Sequence, residues 1–309
     1  MRLVFAGSPS AAVPSLRLLA ASQHEIAAVI SREDSPQGRK RIVTPTAVAA
    51  VADELGLPVI KANRLDDSTT QAVADIRPDL GVIVAYGGLV KEPLLSTPRL
   101  GWINLHFSLL PRWRGAAPVQ RAIMAGDEVT GATVFQLVEE LDAGDIFGML
   151  TQTIGPSQSA GDLLDSLSHS GAELLLRVVD ALEDGTARAD AQHGDITVAP
   201  KLTIDDGRVN FADHASMVLA RIRGVTPEPG AFAELDGVRV KVLEAAPGAS
   251  DVQRHPGEAE LIDGRVLVGT ATEAIELVTV QPAGKKPMKA ADWWRGRPAS
   301  AATKFEVSA

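Results

Sequence analysis

A doubly wound, mostly parallel α/β sheet followed by a small antiparallel β-barrel is the fold class that this 309-residue sequence predicts. Three observations carry that expectation. Short, near-continuous apolar runs alternate with helical patterns through the first half, as in a parallel sheet covered on both faces. A long helical pattern over 160–182 closes that region. Beyond it come five short strand-like runs, several separated by Asp-Gly turns of the kind hairpins prefer.

Taken in order, Leu3–Ala6 is an apolar strand ending at Gly7, followed by a helix over 11–21 and a strand over 26–30. Helical patterns at 46–55 and 68–76 precede strands at 80–84 and 102–105, and a helix follows at 118–125. Strands at 133–138 and 147–152 flank the loop Glu139–Asp145. Residues 1–185 therefore form a first domain, 186–205 lack periodicity and read as a linker, and 206–309 form a second domain. In that domain a helix at 215–223 precedes strands at 231–235, 238–244, 258–262, 265–268 and 275–280. Five such strands fit a barrel of the oligonucleotide-binding type or a sandwich.

Composition narrows the function classes. The chain is 45% hydrophobic and 22% charged, as a folded globular protein should be. It has no cysteine, which excludes thiolate metal sites, disulfides and a cysteine nucleophile. The six histidines lack metal-ligand spacing, so no metal is expected. No signal-like start or spanning apolar run is present, so a cytoplasmic protein without a membrane partner is expected. A net charge of −9 argues against indiscriminate coating of nucleic acid. The balance is uneven, however: −7 over residues 1–185 and −2 over 186–309, which leaves room for a basic face on the second half.

The chemistry concentrates in the run Ile103–Pro118. Asn104 and His106 lie two apart at the end of a predicted strand, so both project to one face at its carboxyl end, where open α/β sheets place ligands. An amide donor beside a proton-transfer group suits acyl transfer through a tetrahedral oxyanion. The following Ser108-Leu109-Leu110-Pro111-Arg112-Trp113-Arg114-Gly115 reads as a defined loop. Asp142 and Asp145 are competing carboxylates for a histidine partner, and spacing does not choose between them. Phe5-Ala6-Gly7-Ser8-Pro9 sits where a dinucleotide-binding glycine loop would, but lacks its glycine pattern. Arg39, Lys40 and Arg41 stand in a long loop that is either solvated or a phosphate contact. Lys285, Lys286 and Lys289 with Trp293, Trp294, Arg295 and Arg297 form a second basic and aromatic group.

These motifs resemble the folate-dependent formyltransferases. The resemblance rests on Asn104-x-His106-x-Ser108-Leu109-Leu110-Pro111-Arg112-x-Arg114-Gly115, on Leu141-Asp142-x-Gly144-Asp145, on Ser35–Arg41 and on Gln281–Lys286, and it runs from residue 2 to about 295. It implies a Rossmann-like catalytic domain and a C-terminal oligonucleotide-binding-type barrel. It also implies formyl transfer from 10-formyltetrahydrofolate to the amine of methionyl initiator tRNA. The family's catalytic trio falls on Asn104, His106 and Asp142, which selects Asp142 over Asp145. Folate is expected against Ser108, Leu109, Leu110 and Pro111, with Val84, Tyr86 and Gly87 nearby, and tRNA against Arg39, Lys40, Arg41, Lys285 and Lys286. A monomer is expected, since nothing demands assembly. Phe107, the segment Gly230-Ala231-Phe232 and the tail after Arg297 depart from the family's pattern. An amino-sugar nucleotide or small amine as acceptor, or a non-catalytic tRNA-binding protein, are the competing readings.

Overall fold

Strand β1 (Arg2–Gly7) is buried at five of its six positions, and it organises the first half of the chain. The computed structural model describes residues 1–37, 41–248, 254–298 and 300–307. Two compact units emerge. The first comprises 1–118, 129–153 and 164–199; the second comprises 119–128, 154–163 and 200–309.

In the first unit, β2 (Glu25–Ser31), β3 (Ser35–Gln37), β4 (Ile42–Thr44), β5 (Val59–Lys61), β6 (Leu80–Val84), β7 (Trp102–His106), β8 (Arg114–Gly115), β9 (Val129–Gln136), β10 (Ile146–Thr153) and β11 (Val198–Ala199) follow β1. Seven of them form one sheet in the order β10-β9-β7-β6-β1-β2-β5. β1, β2, β5, β6 and β7 run parallel, while β9 lies antiparallel to both β7 and β10. Because the chain winds outward both ways from β1, the order reverses between β1 and β6, a switch point of the kind that opens a ligand crevice at the strands' carboxyl ends.

Helices α1 (Val13–Ala20), α2 (Ala47–Glu54) and α3 (Asp67–Ile76) connect the parallel strands. Thr46 and Asp66 cap α2 and α3 by accepting the N–H groups of Ala49 and Thr69. The apolar β6 is buried at every position, as a strand covered on both faces requires. Trp102, fully buried on β7, donates its indole N–H to the Leu94 carbonyl at 2.8 Å. Gly81 beside it is obligatory: a Cβ there would stand 2.2 Å from the Trp102 ring.

Residues 186–199 differ from the expected linker. They belong to the first unit, where Asp190 exchanges backbone hydrogen bonds with Ile146 and β11 pairs with β8. The short β8 and β11 carry no periodicity of their own, which is why the sequence reads as featureless there.

In the second unit, α4 (Pro118–Ala125) and α6 (Ala215–Gly224) precede strands β12 (Ala231–Leu235), β13 (Val238–Pro247), β14 (Ala259–Ile262), β15 (Arg265–Val268), β16 (Ile275–Pro282) and β17 (Met288–Lys289), then α7 (Ala290–Arg295). The strands form an antiparallel sheet in the order β12-β13-β16-β15-β14, with β17 on β16. Asp236-Gly237 and Asp263-Gly264 join successive strands with positive φ at both positions, as type I′ hairpins require. Among the described residues no ladder joins β12 to β14. The tail bridges them instead: Thr303 accepts from the Ala259 N–H, Phe305 donates to Gly257, and Glu306 donates to Glu234. Phe305 is buried in the unit's core against Phe211.

Candidate active site

β7 ends on the residues that the sequence singles out. Asn104 pairs with Ile83 on one side and Phe135 on the other, and His106 lies opposite Thr133. Successive β-strand side chains alternate, so the Asn104 carboxamide and the His106 imidazole share a face. His106 is nearly buried, with the Phe135 ring edge-on at 6.4 Å between centroids. Its Nε2 stands 2.8 Å from the Trp113 carbonyl oxygen. A carbonyl only accepts, so Nε2 carries the hydrogen and Nδ1 keeps the lone pair of the neutral ring. Nδ1 faces Asp142 Oδ2 at 3.7 Å, an ion-pair distance rather than a direct hydrogen bond.

Asp142 is also nearly buried, and it adopts φ 47° in the left-handed region. Its Oδ2 accepts the Gly115 N–H at 2.7 Å, which fixes the carboxylate toward the histidine. Gly115 has φ 123°, and a Cβ there would lie 2.8 Å from the Ala199 carbonyl. The glycine after the two arginines is thus required for the loop to bring its N–H to Asp142. Asp145, the competing carboxylate, has its backbone carbonyl tied to the Gln136 N–H.

The segment expected to meet folate is arranged differently from a simple row of side-chain contacts. Ser108 is wholly buried, and its hydroxyl donates to the Arg112 carbonyl at 2.6 Å. The Ser108 carbonyl in turn accepts from the Thr133 hydroxyl, which also accepts the Leu110 N–H. Leu110 and Pro111 are buried, and Leu109 is half-buried. Val84 is sealed from solvent, and the Tyr86 ring is in the core, its hydroxyl donating to the Ala62 carbonyl. Burial pushes that hydroxyl above its ordinary titration range, so it stays a neutral donor. The side chains of Val84 and Tyr86 thus contribute to packing in this structure. Arg32 holds the main chain there, donating to the carbonyls of Tyr86 and Gly87.

Of the basic residues, Arg39 and Lys40 lie outside the described residues. Arg41 is exposed immediately before β4, with φ 50°. Lys285 and Lys286 are exposed in the turn between β16 and β17 of the second unit. In the same unit, the guanidinium groups of Arg239 on β13 and of Arg208, which bridges to Phe232, lie over the Phe232 ring at 3.9 and 5.2 Å. Phe107, one of the family departures, is buried.

One residue went unread in the sequence. Gln192 donates from Nε2 to the carbonyls of Asp142 and Gly144, at 2.8 and 2.9 Å, and its Oε1 accepts from Arg114. Nothing local marks it, because its partners are 48 to 78 positions away. Among the described residues no cluster of His, Asp and Glu is set to hold a metal ion, and no helix is long and apolar enough to cross a membrane.

Similarity to known proteins agrees with this architecture. The Formyl transferase family matches residues 1–179, and its C-terminal domain family matches 201–298. The chain belongs to the formyl transferase family. The "Methionyl-tRNA formyltransferase" of Clavibacter sepedonicus is 60% identical over 96% of this chain and 97% of that protein. Its counterpart from Leifsonia xyli subsp. xyli is 61% identical over the same shares. Within the family the chain is therefore one of the methionyl-tRNA formyltransferases. Solved structures share the fold at low identity. The sugar 3N-formyl transferase WlaRD superposes with a TM-score of 0.69 at 14% identity, over 93% of this chain and 99% of that one. HypX from Aquifex aeolicus in complex with tetrahydrofolic acid gives 0.63 at 20% identity, over 94% of this chain but 46% of that longer one. The family uses a folate donor.

Proposed function

We propose that this methionyl-tRNA formyltransferase takes its formyl group from 10-formyltetrahydrofolate and passes it to the α-amine of methionine on initiator tRNA, supplying the formylated initiator for translation. The observation that carries the chemistry is the convergence of Asn104 and His106 on one face of β7, with Asp142 3.7 Å from the imidazole.

The neutral amine attacks the formyl carbon, and the C=O π electrons move onto oxygen. Asn104 donates an N–H to that oxyanion. The ammonium formed by attack then loses a proton to His106 Nδ1, the nitrogen left free by the Trp113 carbonyl. The arriving proton sits against the Asp142 carboxylate, which stabilises the imidazolium. Collapse of the intermediate re-forms the carbonyl and breaks the bond to folate N10, which takes the proton from His106. Both substrates are held side by side, so no covalent enzyme intermediate is needed.

Arg39, Lys40 and Arg41 are assigned to the tRNA acceptor stem, and Lys285 and Lys286 to further phosphates. The deciding experiment incubates the protein with charged initiator tRNA and a labelled formyl donor. Label should appear on the aminoacyl group; label on an amino-sugar nucleotide offered in parallel, with none on the tRNA, would reverse the choice of acceptor. Binding of tRNA without any formyl transfer would leave only a binding protein.

A further inference from the structure

We propose that Gln192 is a positioning residue for formyl transfer, clamping Asp142 against His106 from the segment that follows α5 (Ala160–Glu183). The inference rests on the role given above to Asp142. Each hydrogen-bonding position of the Gln192 amide is filled. Its two N–H groups reach the carbonyls of Asp142 and Gly144, and its oxygen accepts from Arg114 Nε at 3.2 Å and Nη2 at 2.7 Å. These partners allow one orientation of the amide. Turned over, it would face oxygen toward two carbonyls and N–H groups toward a guanidinium.

The amide therefore ties together the two loops whose spacing defines the site. One loop carries Trp113, whose carbonyl holds His106, together with Arg114 and the Gly115 N–H that holds Asp142. The other carries Asp142 itself, in the left-handed region that aspartate tolerates better than most side chains. Gly144 leaves the second loop no slack: a Cβ there would meet the Gln136 carbonyl at 1.7 Å. Gln192 is anchored on both sides. Asp190 exchanges backbone hydrogen bonds with Ile146, and Thr197 accepts the Trp113 N–H at 2.8 Å through its hydroxyl.

The test compares Gln192→Glu, Asp142→Asn and the double variant in the full chain. Glutamate keeps the size and the partnership with Arg114, but turns a carboxylate oxygen on the two loop carbonyls. Misplacement of a reacting group by about 1 Å costs about 100-fold, so kcat of Q192E should fall about 10- to 100-fold, with KM for both substrates nearly unchanged. If Gln192 acts through Asp142, the double variant is no slower than D142N alone. Wild-type kcat in Q192E, a loss confined to KM, or independent multiplication of the two defects would overturn the proposal. Wild-type kcat in D142N would overturn it from beneath, by removing Asp142 from the reaction. Should Q192E prove unstable in thermal melts, Gln192→Ala, which lets water take the four bonds, is read by the same split.

Discussion

His106 spends one ring nitrogen on a backbone carbonyl, which leaves a single nitrogen to exchange protons beside Asp142. Asn104 is proposed to have a different duty, and substitutions should separate the two. Asn104→Ala removes one oxyanion donor and should raise the barrier by about 2.7–4 kcal/mol. His106→Ala removes the proton shuttle and should slow turnover about 100- to 10,000-fold. Both should leave tRNA affinity near its original value, and the folded fraction is checked by thermal melts alongside single-turnover kinetics; near-normal kcat in either variant would strike that residue from the mechanism. Much of this was legible in the sequence, because a two-residue spacing on a strand fixes a shared face without any knowledge of the fold. The choice of Asp142 over Asp145 was not legible in the spacing of the residues and rests on the family resemblance; in the fold it is Asp142 that meets the Gly115 N–H. Nor was the inward turn of Tyr86, whose hydroxyl finds a carbonyl at Ala62 that only the folded sheet brings near.

Several elements long enough to show their period match the sequence closely, while β9 begins four residues before its expected start and β13 runs three beyond its expected end. β6 and α4 fall on the expected residues, and α5 extends one residue beyond. Those overlooked are short or unpatterned: the three-residue β3, β4 and β5, the two-residue β8, β11 and β17, and α7. Such pieces are stabilised by partners distant in sequence rather than by their own propensities. The tail illustrates this best. It matches little in the family's pattern, yet it places Phe305 in the second unit's core and carries the hydrogen bonds that link β14 to β12. Phe305→Ala should destabilise by about 3–5 kcal/mol, the usual effect of emptying a buried aromatic site. A denaturant midpoint unchanged from that of the unaltered chain would show that the tail merely lies on the surface.

At the scale of the whole molecule, a net charge of −9 has to coexist with a polyanionic substrate. Binding must then rely on local clusters of cations rather than on the overall field. Neutralising Arg39, Lys40 and Arg41 together should weaken tRNA binding and reduce the slope of log K against log salt by about 0.7–0.9 for each phosphate left without its cation. Filter binding across a salt series measures both; an unaltered slope would remove the loop from the interface. The division into two units departs from the boundaries expected at 185 and 206, since residues 119–128 and 154–163 group with the C-terminal residues. Tryptophan placement has its own practical consequence. The chain has four, and of the two in the first unit Trp102 is sealed inside while Trp113 is half-exposed with its carbonyl on His106. With Trp293 and Trp294 changed to phenylalanine, the emission colour of Trp113 becomes a built-in optical gauge of occupancy, readable without attaching any dye.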